Sequence, residues 1–364
     1  MTELERTLRE LVACAAPSGH EGEVAAYIRA RAVARGVGVA VDPLGNVVCQ
    51  LNRRSGAPRV AVSAHMDEIG LVVRKIEDTG FLRVVRLGGV EERSLAGKEV
   101  LVITERGERI PGVIGIKAHH LVKPEEKYAV TKLEDVYIDI GTESREETRK
   151  LGIEVGCPVV FARTFTCRGH RVFANSLDDR AGCAVLLGVL DAVKVGELRA
   201  EVYFIWSVQE EFSLRGVLPT IRSIHPDLLV CLDIAPACDT PDLEGYSDVV
   251  LGGGPTVNLY TFHGRGTLAG LIPSRPMVTW VSEVADAAGI PLQRNVFFGG
   301  LTDISFAQLE HGGIPAVDLG FAVRYVHSPV EVCDLRDLER LKDLVLALLH
   351  RADEKVIRRL HTGR

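Results

Sequence analysis

Residues 62–70, Val-Ser-Ala-His-Met-Asp-Glu-Ile-Gly ("VSAHMDEIG"), close the apolar run "RVAVSA" with a histidine and two acids. The run from Arg59 has the length and composition of a buried strand. Such a strand has no reason of its own to end on an imidazole and, two residues later, a carboxylate. The arrangement makes sense if the carboxyl end of the strand opens on a crevice, which is where open α/β sheets bind their ligands.

Four more segments repeat the pattern. "YFIWSVQEE" finishes on Glu210 and Glu211, and "LLVCLDIAPACD" is expected to finish on Asp233. "SLDDRAG" sets Asp178 and Asp179 just before an apolar helix, and "FAVRYVHSP" finishes on His327. Singly, each has an ordinary explanation. Asp178 suits a helix N-cap, His327 a packed or surface histidine, and Glu210–Glu211 a solvated loop pair. Together, five distant segments deliver His, Asp or Glu to one crevice.

Around these motifs the chain alternates helical and strand patterns. Helices are expected near 3–14, with Thr2 and Glu5 spaced as a capping box, and near 21–35, 179–195, 274–288 and 334–353. Strands are expected near 37–41 and 46–51, joined by the turn "DPLGN". "EVYFIWSV" and "DLLVCLDI" are near-continuously apolar, as central strands covered on both faces are. Between about 70 and 163 the texture changes to short β-rich runs such as "GLVVRKI" and "EVLVITE", split by Gly and charged turns. The expected fold is therefore α/β, with a mixed central sheet covered by helices. It is formed by residues 1–69 and 164–364 and interrupted at 70–163 by a small β-barrel or sandwich.

The totals agree with this outline. The 364 residues carry a net charge of −6, which argues against a nucleic-acid partner. There is no run of eighteen apolar residues, and the start resembles neither a signal peptide nor a membrane span. The eight cysteines are scattered without a C-x-x-C pair, as expected of reduced thiols in a cytoplasmic protein.

Imidazole with carboxylate, and no thiolate, suits Zn2+ or a similar divalent ion. His65, Asp178, Glu211, Asp233 and His327 bring three negative charges, more than a single catalytic zinc requires. Two ions match that set better, with one carboxylate bridging them across roughly 3.5–4 Å.

"HMDEIG", "SLDDRAG", "VQEE", "LDIAPACD" and "RYVHSP", in this order, resemble the dinuclear metallo-aminopeptidases that include the glutamyl, deblocking and tetrahedral (TET) aminopeptidases. The resemblance spans essentially the whole chain and implies a zinc-exopeptidase-like fold. It implies that His65 and Asp233 hold one ion and Glu211 and His327 the other, with Asp178 bridging. Asp67 would orient His65, and Glu210 would be the general base. The ions would be two per chain, Zn2+ first, with Co2+ or Mn2+ as alternatives. The substrates would be peptides, and the inserted block would build dimers that assemble into a dodecamer. Both glutamates can face one site only if the strand has ended by Glu210, because strand neighbours point to opposite faces.

"NLYTFHGRGTLAGLIPSRPM", residues 258–277, departs from the commoner family form across 258–276 and resembles that of a sugar-operon-associated subgroup. His263, Arg265, Asp303 and Gly299–Gly300 are candidates for the substrate pocket, although Asp303 also fits an N-cap before "ISFAQLE". His119, His120, His225 and His311 suit structural or surface roles. The competing functions are a related dinuclear amidohydrolase or deacylase, an endoglucanase-like glycosidase and a non-catalytic peptide-binding assembly. Glycoside hydrolysis uses two carboxyls roughly 5–9.5 Å apart and leaves His65 and His327 without a role. A non-catalytic scaffold has no use for Glu210 beside a full ligand set.

Overall fold

Arg59–His65 forms the central strand expected of it, with every residue after Arg59 buried. The computed structural model describes residues 1–264 and 268–362. In chain order the strands begin with β1 (Val39–Val41), β2 (Val47–Leu51) and β3 (Arg59–His65). Next come β4 (Gly70–Ile76), β5 (Leu82–Leu87), β6 (Glu99–Ile103), β7 (Arg109–Ile114), β8 (Tyr137–Asp139) and β9 (Pro158–Phe161). The remainder are β10 (Phe165–Arg168), β11 (Arg171–Ala174), β12 (Glu201–Ser207), β13 (Leu228–Pro236), β14 (Thr256–Phe262), β15 (Gln293–Phe298), β16 (Ala316–Arg324) and β17 (Glu331–Asp334). The helices are α1 (Glu3–Ala13), α2 (Gly22–Ala34), α3 (Arg145–Lys150), α4 (Leu177–Ala192), α5 (Val217–Ile224), α6 (Arg275–Ala288), α7 (Ile304–Ala307), α8 (Leu335–Arg351) and α9 (Glu354–Thr362).

The central sheet is mixed and runs β1-β2-β12-β3-β13-β16-β17-β11-β10, with β14 and β15 attached beside β16. β12, β3, β13 and β16 are parallel neighbours. Helices α1, α4, α6 and α8 pack on one another and bury a core with one face of the sheet, around Leu8, Trp206, Leu186 and Leu341. Helices α5 and α7 cover the other face with Ile221, Ile224 and Ile304. The two-sided cover explains why the central strands are apolar at nearly every position rather than at every second one. Local signals set the helix ends. Thr2 Oγ1 accepts from Glu5 N at 3.1 Å, Ser274 caps α6, and Gly289 stops that helix at φ +67°.

The block from Gly70 to Phe161 is a closed barrel, ordered β4-β5-β8-β7-β6-β9. In β6 buried and more exposed residues alternate, placing Val100 and Val102 inside with Leu71, Val84, Ile138 and Val159. Barrel and sheet are tied at one carboxylate. Glu68 stands just before β4, and Arg163, just after β9, holds both its oxygens at 2.6 Å. Arg180 at the start of α4, Ser176 Oγ and Ala16 N also donate to Glu68. Both chain crossings between barrel and sheet thus converge on one buried side chain.

Burial alone raises the pKa of Glu68, but Arg163 and Arg180 outweigh it and pull the carboxyl down from 4.5 to about 2. A depressed carboxyl stabilises the fold above its unfolded pKa, and that contribution is lost as pH falls from about 4.5 towards 2. Glu68→Gln, which strands two buried guanidinium groups, should cost about 3–5 kcal/mol in urea unfolding at pH 7. The gap to wild type should narrow below pH 4.5; a gap independent of pH contradicts the assignment.

Candidate metal centre

The crevice opens where two strands part. β12 pairs with β3 along its full length, to Ser207 opposite His65. β13 pairs with β3 only as far as Cys231 opposite Ser63, then continues alongside β16. Asp233 therefore does not end its strand, as the sequence suggests, but lies three residues inside it. What ends there is the ladder to β3, and the resulting gap leaves the Asp233 side chain beside His65.

His327 follows three residues after β16, and Asp178 lies at the start of α4. That helix begins irregularly, with the Asp178–Asp179 peptide cis and both residues outside helical geometry. The capping acceptor is Asp179, whose Oδ1 takes Gly182 N at 3.0 Å, and this frees Asp178 for other contacts. β12 ends at Ser207, and Gln209 turns at φ +56°, so Glu210 and Glu211 leave the strand and reach the same site. Gly216 allows this turn, since a Cβ there would lie 1.6 Å from Val208 O.

All five expected ligands converge. His65, Asp178 and Asp233 offer donor atoms within 4.8 Å of one another, and so do Asp178, Glu211 and His327. Asp178 belongs to both groups: its Oδ1 is 3.0 Å from His65 Nε2 and its Oδ2 3.4 Å from His327 Nε2. His327 Nε2 is also 3.3 Å from Glu211 Oε1, and Glu210 Oε2 lies 4.0 Å from His65 Nε2. His65, Asp178, Asp233 and Glu210 are buried, while the His327 side chain is about one-third exposed, at 36%.

The charges fit cations. Burial, then the charge of Asp178, pushes the Asp233 pKa well above the usual carboxylate range. Burial likewise raises Glu210, with Asp233, Glu211 and Asp303 adding to the effect and His65 opposing it. Burial opposes the imidazolium of His65, but Glu210, Asp178 and Asp67 raise its pKa on balance. Glu211 and then Asp178 raise that of His327. Such mutual perturbation marks a surplus of buried carboxylate that divalent cations would relieve, and imidazole–carboxylate donors are the type zinc-class ions take.

The remaining contacts position the ligands. His65 Nδ1 is 3.2 Å from Asp67 O and 3.5 Å from Asp67 Oδ1, so residue 67 orients the ring mainly through its carbonyl. The Asp67 carboxylate also fixes the turn after β12, accepting from Glu210 N at 3.0 Å, Glu211 N at 3.1 Å and Ser18 Oγ at 2.6 Å. His327 Nδ1 is 3.0 Å from Gly89 O. Gly89 lies just after β5, so the barrel contributes the carbonyl that faces the ring of a candidate ligand. A Cβ on Gly89 would sit 2.6 Å from that nitrogen, so only glycine fits.

Ser18, Gly89 and Glu331, which accepts backbone N–H groups beside the site, were not foreseen. Among these, only the "PSG" turn around Ser18 carried any local signal. Asp303 is buried and accepts from Ser207 Oγ at the end of β12, while its side chain caps nothing at α7. Among the described residues neither His263 nor Gly299–Gly300 bonds to a candidate ligand; Arg265 lies outside them. His225 and His311 stack with ring centres 3.7 Å apart, and His119 and His120 are exposed, consistent with structural and surface roles.

Residues 45–344 match the model of the M42 glutamyl aminopeptidases. The chain belongs to that family. M42 peptidases are metal-dependent, and the chain is an aminopeptidase of this type. It is 40% identical over 347 residues to the putative aminopeptidase SgcX of Escherichia coli K12, covering 95% of this chain and 93% of that protein. Its fold matches aminopeptidase APDkam598 from the archaeon Desulfurococcus kamchatkensis at a TM-score of 0.92, with 34% identity over 98% and 97% of the two chains. It also matches the TET1 peptidase of Pyrococcus horikoshii, described as assembling into a tetrahedron or a large octahedral shell. There the TM-score is 0.85, with 33% identity over 95% and 99% of the chains.

Asp67→Asn exchanges one accepting oxygen for an NH2 group that opposes the N–H donors of the 210–211 turn. It should weaken metal binding by about 10–100-fold, measured by competition with a chromophoric chelator. Unchanged affinity contradicts the positioning role.

Proposed function

We propose that this M42 peptidase removes N-terminal residues from peptides with two divalent ions held across Asp178, and that Glu210 is the general base. The observation that carries the reading is one buried carboxylate shared by two ligand groups on opposite sides. His65 and Asp233 would hold one ion, and Glu211 and His327 the other. Zn2+ suits these donors best, and Co2+ or Mn2+ would fit the same set. Bound there, the ions supply Lewis acidity towards the scissile carbonyl and lower the pKa of the attacking water.

Glu210 is held for proton transfer. Its carboxylate approaches the site without belonging to either ligand group, and its backbone is fixed by Asp67. It takes a proton from the attacking water and delivers it to the departing amine. The buried walls formed by His65, Asp233 and Glu210 limit bulk water around that transfer.

Residues 1–69 and 164–364 form the catalytic unit in this reading, and residues 70–163 an inserted unit for assembly. The barrel segment between β7 and β8 supports that role. Ile116, Leu121, Tyr128 and Val130 are 65%, 73%, 88% and 49% exposed there, an apolar set suited to burial against another copy. Dimers built this way would assemble into a dodecamer, as the described assembly of the Pyrococcus horikoshii protein suggests. Free cysteines throughout the chain suit a reducing cytoplasm.

Glu210→Gln keeps shape but removes the proton acceptor. It should leave metal content and folding intact and reduce turnover of an aminoacyl-amide by about 10²–10⁴-fold. A near-wild-type rate assigns the base elsewhere. In light scattering the protein should exceed a dimer at physiological salt. A species near 39.6 kDa contradicts the assembly role, and a dimer removes only the dodecamer.

A further inference from the structure

We infer that Glu331 is a positioning residue for the metal pair, clamping the bridging carboxylate and one imidazole ligand into register. The inference rests on the dinuclear reading above. Glu331 is the first residue of β17 and is 2% exposed. Its Oε2 accepts from Asp178 N at 3.0 Å, and its Oε1 from His327 N at 2.9 Å. One side chain thus joins the backbones of two ligands that lie 149 residues apart in sequence.

The two segments need such a clamp. Asp178 belongs to an irregular helix start, and His327 has a left-handed backbone at φ +61°, so no regular ladder holds either amide. β17 supplies a rigid base, paired with β11 at Ala174 opposite Glu331 and with β16 on its other side. Asn175 reinforces the corner, its Nδ2 donating to Pro329 O at 2.8 Å. The arrangement parallels Asp67, which accepts from the amides of Glu210 and Glu211. Two buried acids outside the ligand set therefore fix the amides of Asp178, Glu211 and His327, and of Glu210 beside them.

A carboxyl group is suited to this because both its oxygens can accept. Gln offers one oxygen and turns an NH2 against the other amide, leaving a buried donor unpaired. A displacement of Asp178 would reach both ions, and one of His327 would reach the second.

Zn2+ affinity, measured by chelator competition on the full-length protein, separates positioning from general stability. Glu201→Gln is the control, since Glu201 is similarly buried and accepts Arg54 N at 2.7 Å at the far end of β12. Glu331→Gln should bind its weaker Zn2+ about 10–100-fold less tightly than wild type. Its Co2+ form should also show altered d–d absorption. Glu201→Gln should match wild type in both. If Glu331→Gln fails to fold, Glu331→Asp, with both oxygens on a shorter arm, is judged by the same comparison. Wild-type affinity and spectrum in the Glu331 variant overturn the inference while leaving the dinuclear reading intact. A wild-type protein that takes up fewer than two ions removes that reading, and the clamp with it.

Discussion

Everything in the site is arranged around the Asp178 carboxylate, whose two oxygens face two imidazoles, one at the end of β3 and one in the loop after β16. At 3.0 Å from His65 and 3.4 Å from His327 it is the only group common to both candidate ligand sets among the described residues. A buried carboxylate costs desolvation energy, which burial alone would relieve by protonation. Here the two imidazoles outweigh burial and keep its pKa well below the usual carboxylate value. Neighbouring Asp233 and Glu210, which gain less compensation, are displaced upward. Such a surplus of buried carboxylate suits divalent cations, and the parting of β13 from β3 is what opens the crevice.

Three buried acids that are not candidate ligands hold this centre together. Asp67 fixes the turn after β12, Glu331 the start of α4 and the segment before β17, and Glu68 the two crossings into the barrel. Each accepts backbone or guanidinium donors from segments far apart in sequence. The barrel reaches the same centre through Gly89, whose carbonyl meets the ring of His327. The barrel and the crevice consequently share a mechanical connection.

The α/β fold, the inserted β-barrel region and the converging His, Asp and Glu residues were legible in the sequence because each depends on local pattern. Apolar runs mark central strands, short β-rich runs split by Gly and charged turns mark the barrel, and a polar group after an apolar run marks a crevice. The sequence puts Asp233 at a strand end because it shows where apolar character stops, not where one neighbour's pairing stops. Glu331 is hidden in the sequence because an acid opening a short strand is ordinary without its two amide partners. Gly89 was equally hidden, since its contribution is a backbone carbonyl. The turn that brings Glu210 and Glu211 to one side needed the observed positive φ at Gln209.

The most direct test is the metal content of full-length protein reconstituted with Zn2+ and freed of excess, read as ions per chain by native mass spectrometry. Two ions per chain are expected, falling to one or none in Asp178→Asn because the shared carboxylate serves both positions. A wild-type stoichiometry that stays at or below one at saturation, or an Asp178→Asn protein that still binds two ions with wild-type affinity, contradicts a centre built around Asp178.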